Sequence, residues 1–135
     1  MNDKLRKLLI KHEGLRLKPY LDTVGKMTIG IGRNLDDRGI SNDEANYLFM
    51  NDVDEASEQI MEMFPLFNGW SESRRNALID MVFNMGITRF LGFRKMIAAI
   101  KNGDWFSAAK EMRNSSWAAQ LPTRVAELSA MVEKG

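Results

Sequence analysis

Cysteine is missing from this chain of 135 residues, and histidine occurs once, at position 12. Without cysteine there is no disulfide and no thiolate ligand, so packing alone must hold the fold, and a structural zinc centre lacks its usual donors. The absence says nothing about a reducing or an oxidising destination. No DxDxDG-like loop offers a calcium site, so metal ligands are read as none and cofactors as none. An excess of one charge is lacking as well. Nineteen Lys and Arg stand against 18 Asp and Glu, for a net charge of +1. That balance does not argue for a nucleic-acid partner. No apolar run approaches the length of a membrane span. The opening MNDKLRKLLIKHEG breaks its leucines with Arg6, Lys7 and Lys11, so it does not read as a signal peptide. The expectation is synthesis in a cytoplasm, with any delivery to another place left to a second factor.

Proline is scarce too, with only Pro19, Pro65 and Pro122. Long helices are therefore permitted between them. What is present suits one domain able to bury a core: hydrophobic residues make up 44% of the chain. Asn2 or Asp3 caps a first helix with Leu5, Leu8 and Leu9 on one face, ended by Gly14. KPYLDT and KMTIGIG flank Val24-Gly25 and predict a small antiparallel hairpin. NLDDRG reads as a polar turn. Ser41 and Glu44 form a capping box before a long helix, whose stripe runs through Ala45, Leu48, Phe49, Val53, Ala56, Ile60 and Phe64 to a stop at Pro65. The rest predicts helices throughout. Ser71 opens a buried one around ALIDMVFNM, Asp104 caps another, and Pro122 starts the last. Methionines and the three tryptophans read as core filler. LRKLLIKH is amphipathic and basic, yet its pattern is that of an ordinary docked helix, and no stable membrane insertion is expected.

The candidate chemistry lies in HEGLRLKPYLDTVGKMTIGIG, residues 12 to 32. Glycoside hydrolysis needs two carboxyl groups flanking a bond, one donating a proton and one activating water or stabilising charge. Glu13 stands in the last turn of a helix, where the macrodipole opposes ionisation. Asp22, near a hairpin, is expected to stay ionised. Thr28 on the facing strand offers a hydroxyl to a water. Gly30 and Gly32 suggest close approach of a backbone or a ligand. Taken singly, an acid before a helix-ending glycine and an acid near a hairpin are commonplace surface features.

The stretch resembles the phage-type lysozymes, the muramidases of glycoside hydrolase family 24, whose signature runs E-G, then Y-x-D-x-x-G, then T-I-G-x-G. The steps of nine residues from Glu13 to Asp22 and six from Asp22 to Thr28 match it. ISNDEANYLFMNDVD, SRRNALIDMVFNMG and SSWAAQLPTR continue the likeness in order. The resemblance implies an α+β, mainly helical fold with two lobes, a small antiparallel sheet in the N-terminal lobe, a connecting helix and a helical C-terminal lobe. The whole chain, 1–135, would be one lysozyme domain. Its sheet-bearing lobe covers about 13–60, and its helical lobe covers about 61–135 plus the N-terminal helix 1–12.

The same resemblance implies Glu13 as general acid, Asp22 as the group that positions or activates water, and Thr28 as its helper. The implied outcome is inversion. Gly32 and Phe83 would face substrate. Arg124 would stand beside the acid, where a cation lowers a carboxyl pKa and so opposes the helix-end effect. Family members often pair a histidine after T-I-G-x-G with an aspartate of the connecting helix. Here Arg33 and Asp52 hold those positions and are expected to pair. The implied substrate is the β-1,4 bond between N-acetylmuramic acid and N-acetylglucosamine in peptidoglycan glycan strands, cut by a monomer. The implied role is that of an endolysin released from the host cytoplasm to the periplasmic wall by a holin. A non-catalytic wall-binding module, for instance in a phage tail, and a lytic transglycosylase remain alternatives.

Overall fold

The computed structural model describes residues 1–135, which divide into two compact units, Met1–Tyr47 and Leu48–Gly135. In the first unit, α1 (Asp3–Glu13) starts where the Asn2 side chain accepts a hydrogen bond from the Leu5 N–H at 2.8 Å. It stops at Gly14, whose φ of +78° suits glycine and whose N–H returns to the Ile10 carbonyl. Three short antiparallel strands follow in the order β1 (Arg16–Leu21), β2 (Met27–Gly30) and β3 (Arg33–Asn34). Leu21 pairs with Met27 and Tyr20 with Thr28, while Ile29 pairs with Arg33. The β1–β2 register shifts between Arg16 and Tyr20. Pro19 falls in that stretch and has no N–H to give the ladder.

Two local expectations need revision. KMTIGIG is not one strand, because the chain turns at Ile31-Gly32 and returns as β3. NLDDRG is not a plain turn. It contains a single helical turn, α2 (Leu35–Arg38), capped by the Asn34 side chain on the Asp37 N–H. Two acids in its first turn favour that helix end. One of them, Asp36, also accepts the Met27 N–H at 2.7 Å and so ties α2 to β2.

The helix α3 (Asn42–Met63) starts in the first unit on the expected capping box: the Glu44 N–H donates to Ser41 Oγ and the Ser41 N–H to Glu44 Oε1. Its later turns bury Ala56 and Ile60, and Phe64 beyond it is buried as well, whereas Leu48 and Phe49 remain exposed. In the second unit α4 (Glu72–Met85), capped by Ser71, buries Ala77, Leu78, Met81 and Val82. Around it run α5 (Ile87–Leu91), α6 (Arg94–Lys101), α7 (Trp105–Arg113), α8 (Ser116–Gln120) and α9 (Pro122–Lys134), with α7 and α4 both packed on α9.

Trp117 is fully buried and donates its indole N–H to Asn84 Oδ1 at 2.9 Å, which satisfies the one polar atom it takes out of water. Trp70 meets Trp105 edge to face at 4.9 Å. Of the methionines, Met81, Met96 and Met112 fill the core, while Met50 and Met61 lie on the surface. Arg74 reaches from α4 to the end of α9, donating to the Val132 and Glu133 carbonyls that the helix leaves open. No helix is long and apolar enough to cross a membrane.

Candidate active site

Glu13 is the last residue of α1, directly before Gly14. Within the first unit its carboxyl accepts no hydrogen bond and lies instead close against residue 32. A Cβ built on Gly32 would stand 2.5 Å from Glu13 Oε2 and 2.9 Å from its Cδ. Only glycine leaves that space, and only glycine sits easily at the φ of +70° found there. The first of the paired carboxyls and the second glycine of TIGIG are thus brought into contact.

Asp22 follows β1 and closes the hairpin. Its Oδ1 accepts the Val24 N–H at 3.0 Å and the Lys26 N–H at 2.8 Å, while Oδ2 has no protein partner. The carboxylate is therefore fixed in direction by one oxygen and free at the other. Thr28, in the central strand, is 3% exposed and donates its hydroxyl to the Lys26 carbonyl at 2.9 Å. With its proton committed, Thr28 Oγ1 can still accept. Asp22 and Thr28 are thus both anchored on Lys26, one on its N–H and one on its C=O. The Lys26 ammonium pairs with Asp37 of α2 at 3.1 Å. Their hydrogen bond raises the pKa of Lys26 and lowers that of Asp37.

Arg33 does not take the expected partner. Its guanidinium forks onto Glu44, Nη1 to Oε1 at 2.9 Å and Nη2 to Oε2 at 2.8 Å, and Nη1 also donates to the Gly39 carbonyl. Asp52, the acid expected for it, lies in the second unit. Glu44 is nearer along the chain and already oriented by the capping box, so it captures the fork. Hydrogen bonds from Arg33 and then from the Ser41 backbone and hydroxyl lower its pKa to about 2.

In the second unit Arg124, in the first turn of α9, is held by Asp80 of α4: Nε and Nη2 both meet Oδ1, at 2.8 and 2.7 Å. A recess of about 350 Å³ next to this pair is lined by Phe49, Val53, Ile79 and Phe83 among others. Phe83 is 41% exposed and sets its ring edge-on to Phe49 at 5.8 Å, so it is a surface aromatic rather than core filler.

Three partners escaped the sequence reading: Glu44 as the holder of Arg33, Asp80 as the holder of Arg124, and Asp36 as the clasp on β2. Only Asp80 left a sign, as a lone acid within the apolar run ALIDMVFNM.

Comparison with known proteins bears on this geometry. Residues 10–132 match the family described as phage lysozyme. Two Dictyostelium discoideum proteins, named "Probable T4-type lysozyme 1" and "Probable T4-type lysozyme 2", are each 30% identical to the chain over its whole length and 96% of theirs. The "Pre-baseplate central spike protein Gp5" of Enterobacteria phage T4 is 29% identical across 99% of the chain, which spans 28% of that protein. Since the match takes in the helix end at Glu13, the hairpin and the helices through α9, the chain belongs to the phage lysozyme family, with a lysozyme-like α+β fold and a lysozyme-like glycosidase function.

Proposed function

We propose that the protein hydrolyses the β-1,4 bond between N-acetylmuramic acid and N-acetylglucosamine in bacterial peptidoglycan, with Glu13 as general acid and Asp22 as the group that orients the attacking water. The observation that carries this reading is the shared anchorage of Asp22 and Thr28 on Lys26. It leaves one free carboxylate oxygen and one hydroxyl acceptor, both held by backbone, and a water needs such acceptors to be held and deprotonated. Glu13, at the end of α1 and close against Gly32, is the group assigned to protonate the leaving oxygen. The assignment is an inverting one, for which the two carboxyls should stand ~6.5–9.5 Å apart around a water. Gly32 and Phe83 are assigned to the sugar, and Arg124 is assigned a supporting role.

The reading extends to an endolysin that works as a monomer, without cofactor. It is made in a bacterial cytoplasm and reaches the wall through a holin. The relative named as a central spike protein favours a second setting, in which the same hydrolase forms part of a phage tail. Particles purified from a lysate would carry the protein in that setting and lack it in the first.

The test compares wild type with Glu13→Gln on purified peptidoglycan. Release of reducing sugar should fall at least a thousandfold, ~10³ being within reach of losing a general acid. The wild-type product should bear reducing ends of inverted configuration. Equal activity in the two proteins would remove Glu13 from the mechanism, and anhydro-muramic ends seen by mass spectrometry would replace hydrolysis with a transglycosylase reaction.

A further inference from the structure

Within the first unit, the Glu13 carboxyl is placed by a wall rather than by hydrogen bonds. No donor of the first unit reaches it, and it lies close against Gly32. Whatever fixes residue 32 therefore fixes the acid. On one side Gly32 follows Ile31, which lies outside the strands. On the other side it leads into Arg33, whose side chain makes three hydrogen bonds: two to the Glu44 carboxylate and one to the Gly39 carbonyl. Glu44 is in turn fixed by the Ser41 N–H on Oε1 and by its own N–H on Ser41 Oγ.

A capping box asks for less than this. It needs an acceptor three residues into the helix, and glutamine satisfies it as well as glutamate does. The carboxylate of Glu44 has a second use, because a parallel fork of two short bonds to a guanidinium requires two equivalent, charged oxygens. We propose that Glu44 is a positioning residue: through Arg33 it holds the Gly32 backbone at the first turn of α3, and thereby sets where the carboxyl of Glu13 stands. The inference rests on the assignment of Glu13 as the acid. It adds that the acid is located by an ion pair one residue removed from the surface it touches.

The test is a double-mutant cycle with Glu44→Gln, Arg33→Met and the double variant, assayed on soluble peptidoglycan fragments. Glu44→Gln keeps the capping hydrogen bond and loses the charged fork. We expect kcat to fall about tenfold in each single variant, a small displacement of reacting groups being enough for that, with KM within about twofold. The double variant should be no worse than either single one, because both remove the same contact.

Two controls separate this inference from the one beneath it. If Glu13→Gln is inactive, the cycle decides: unchanged kcat in Glu44→Gln, or losses that multiply in the double variant, overturn the positioning role. If Glu13→Gln is active, the acid assignment falls and kcat no longer reports on it. The ¹³C resonance of the Glu13 side-chain carboxyl then decides, since it must move in Glu44→Gln for the positioning role to stand and overturns it by staying put.

Discussion

Two residues show how little room the candidate site allows. Gly32→Ala places a methyl group 2.5 Å from Glu13 Oε2 at a backbone angle that alanine rarely adopts. The backbone effect alone should lower stability by roughly 1–3 kcal/mol. The displaced carboxyl should lower kcat by ~10²-fold. Gly25→Ala is the control, because its φ is also positive, +82°, but nothing lies within 4 Å of the new Cβ. Melting temperatures should fall in both variants and activity only in the first. Asp22→Asn makes the complementary separation. An amide oxygen can take over the two backbone N–H bonds now made by Oδ1. The hairpin should survive, with little change in melting temperature or in the amide spectrum of residues 22–26. Reducing-sugar release should collapse all the same, because an amide cannot draw a proton from water. Retained activity would show that Asp22 only shapes the turn.

At the level of the element, the joint between β3 and α3 carries the clearest pH dependence. Glu44 titrates in the folded protein at about 2, below its ordinary 4.5. A carboxyl depressed on folding binds more protons when unfolded. Its contribution is therefore full above about 4.5 and is lost as pH falls toward 2. Wild type should melt above Glu44→Gln by a constant margin at neutral pH. That margin should shrink below pH 4.5 and vanish near pH 2, as thermal melts across the range would show. A margin independent of pH would mean that the fork contributes nothing through charge.

The elements themselves were largely legible in the sequence, and the reason is local chemistry. Asn2, Ser41, Ser71, Asp104 and Ser115 all cap the helices that follow them, or in the case of Ser41 form the capping box, and Pro122 stands at the start of α9. Caps act over three or four residues, which a linear reading can see. The failures came where one residue had two partners to choose from across a longer span. Arg33 had acids at 44 and 52, and nothing in the linear order shows that the turn through α2 brings Glu44 into reach. The break at Ile31-Gly32 was missed for a similar reason, because alternation in TIGIG suits a continuous strand until the glycines take positive φ. In the site, the contact of Glu13 with Gly32 was foreshadowed only as close approach to a glycine. The anchorage on Lys26 left no trace, because it uses backbone atoms that every residue carries.

Across the whole molecule, burial is distributed unevenly. Every buried side chain except Thr28 belongs to the second unit. Helices α4, α7 and α9 meet there around Leu78, Met112, Trp117 and Val132, each large apolar side chain contributing about 1.5–3 kcal/mol through burial. A unit of the first one's size has little interior to use, and polar clasps stand in for it: Asp36 on Met27, Lys26 on Asp37, and Arg33 on Glu44. Of the catalytic residues proposed for it, Asp22 and Thr28 are held by directional bonds to the main chain, which fix angles better than an apolar contact does.

The sulfur atoms follow the same division. In dilute peroxide Met1, Met50 and Met61, which face solvent, should become sulfoxides first. Met81, Met96 and Met112 should resist until the helices part, and mass spectrometry of the peptides would rank them in that order. Since a chain without cysteine has no thiol to oxidise either, the protein would meet an oxidative burst with its expendable thioethers outermost and its structural ones sealed.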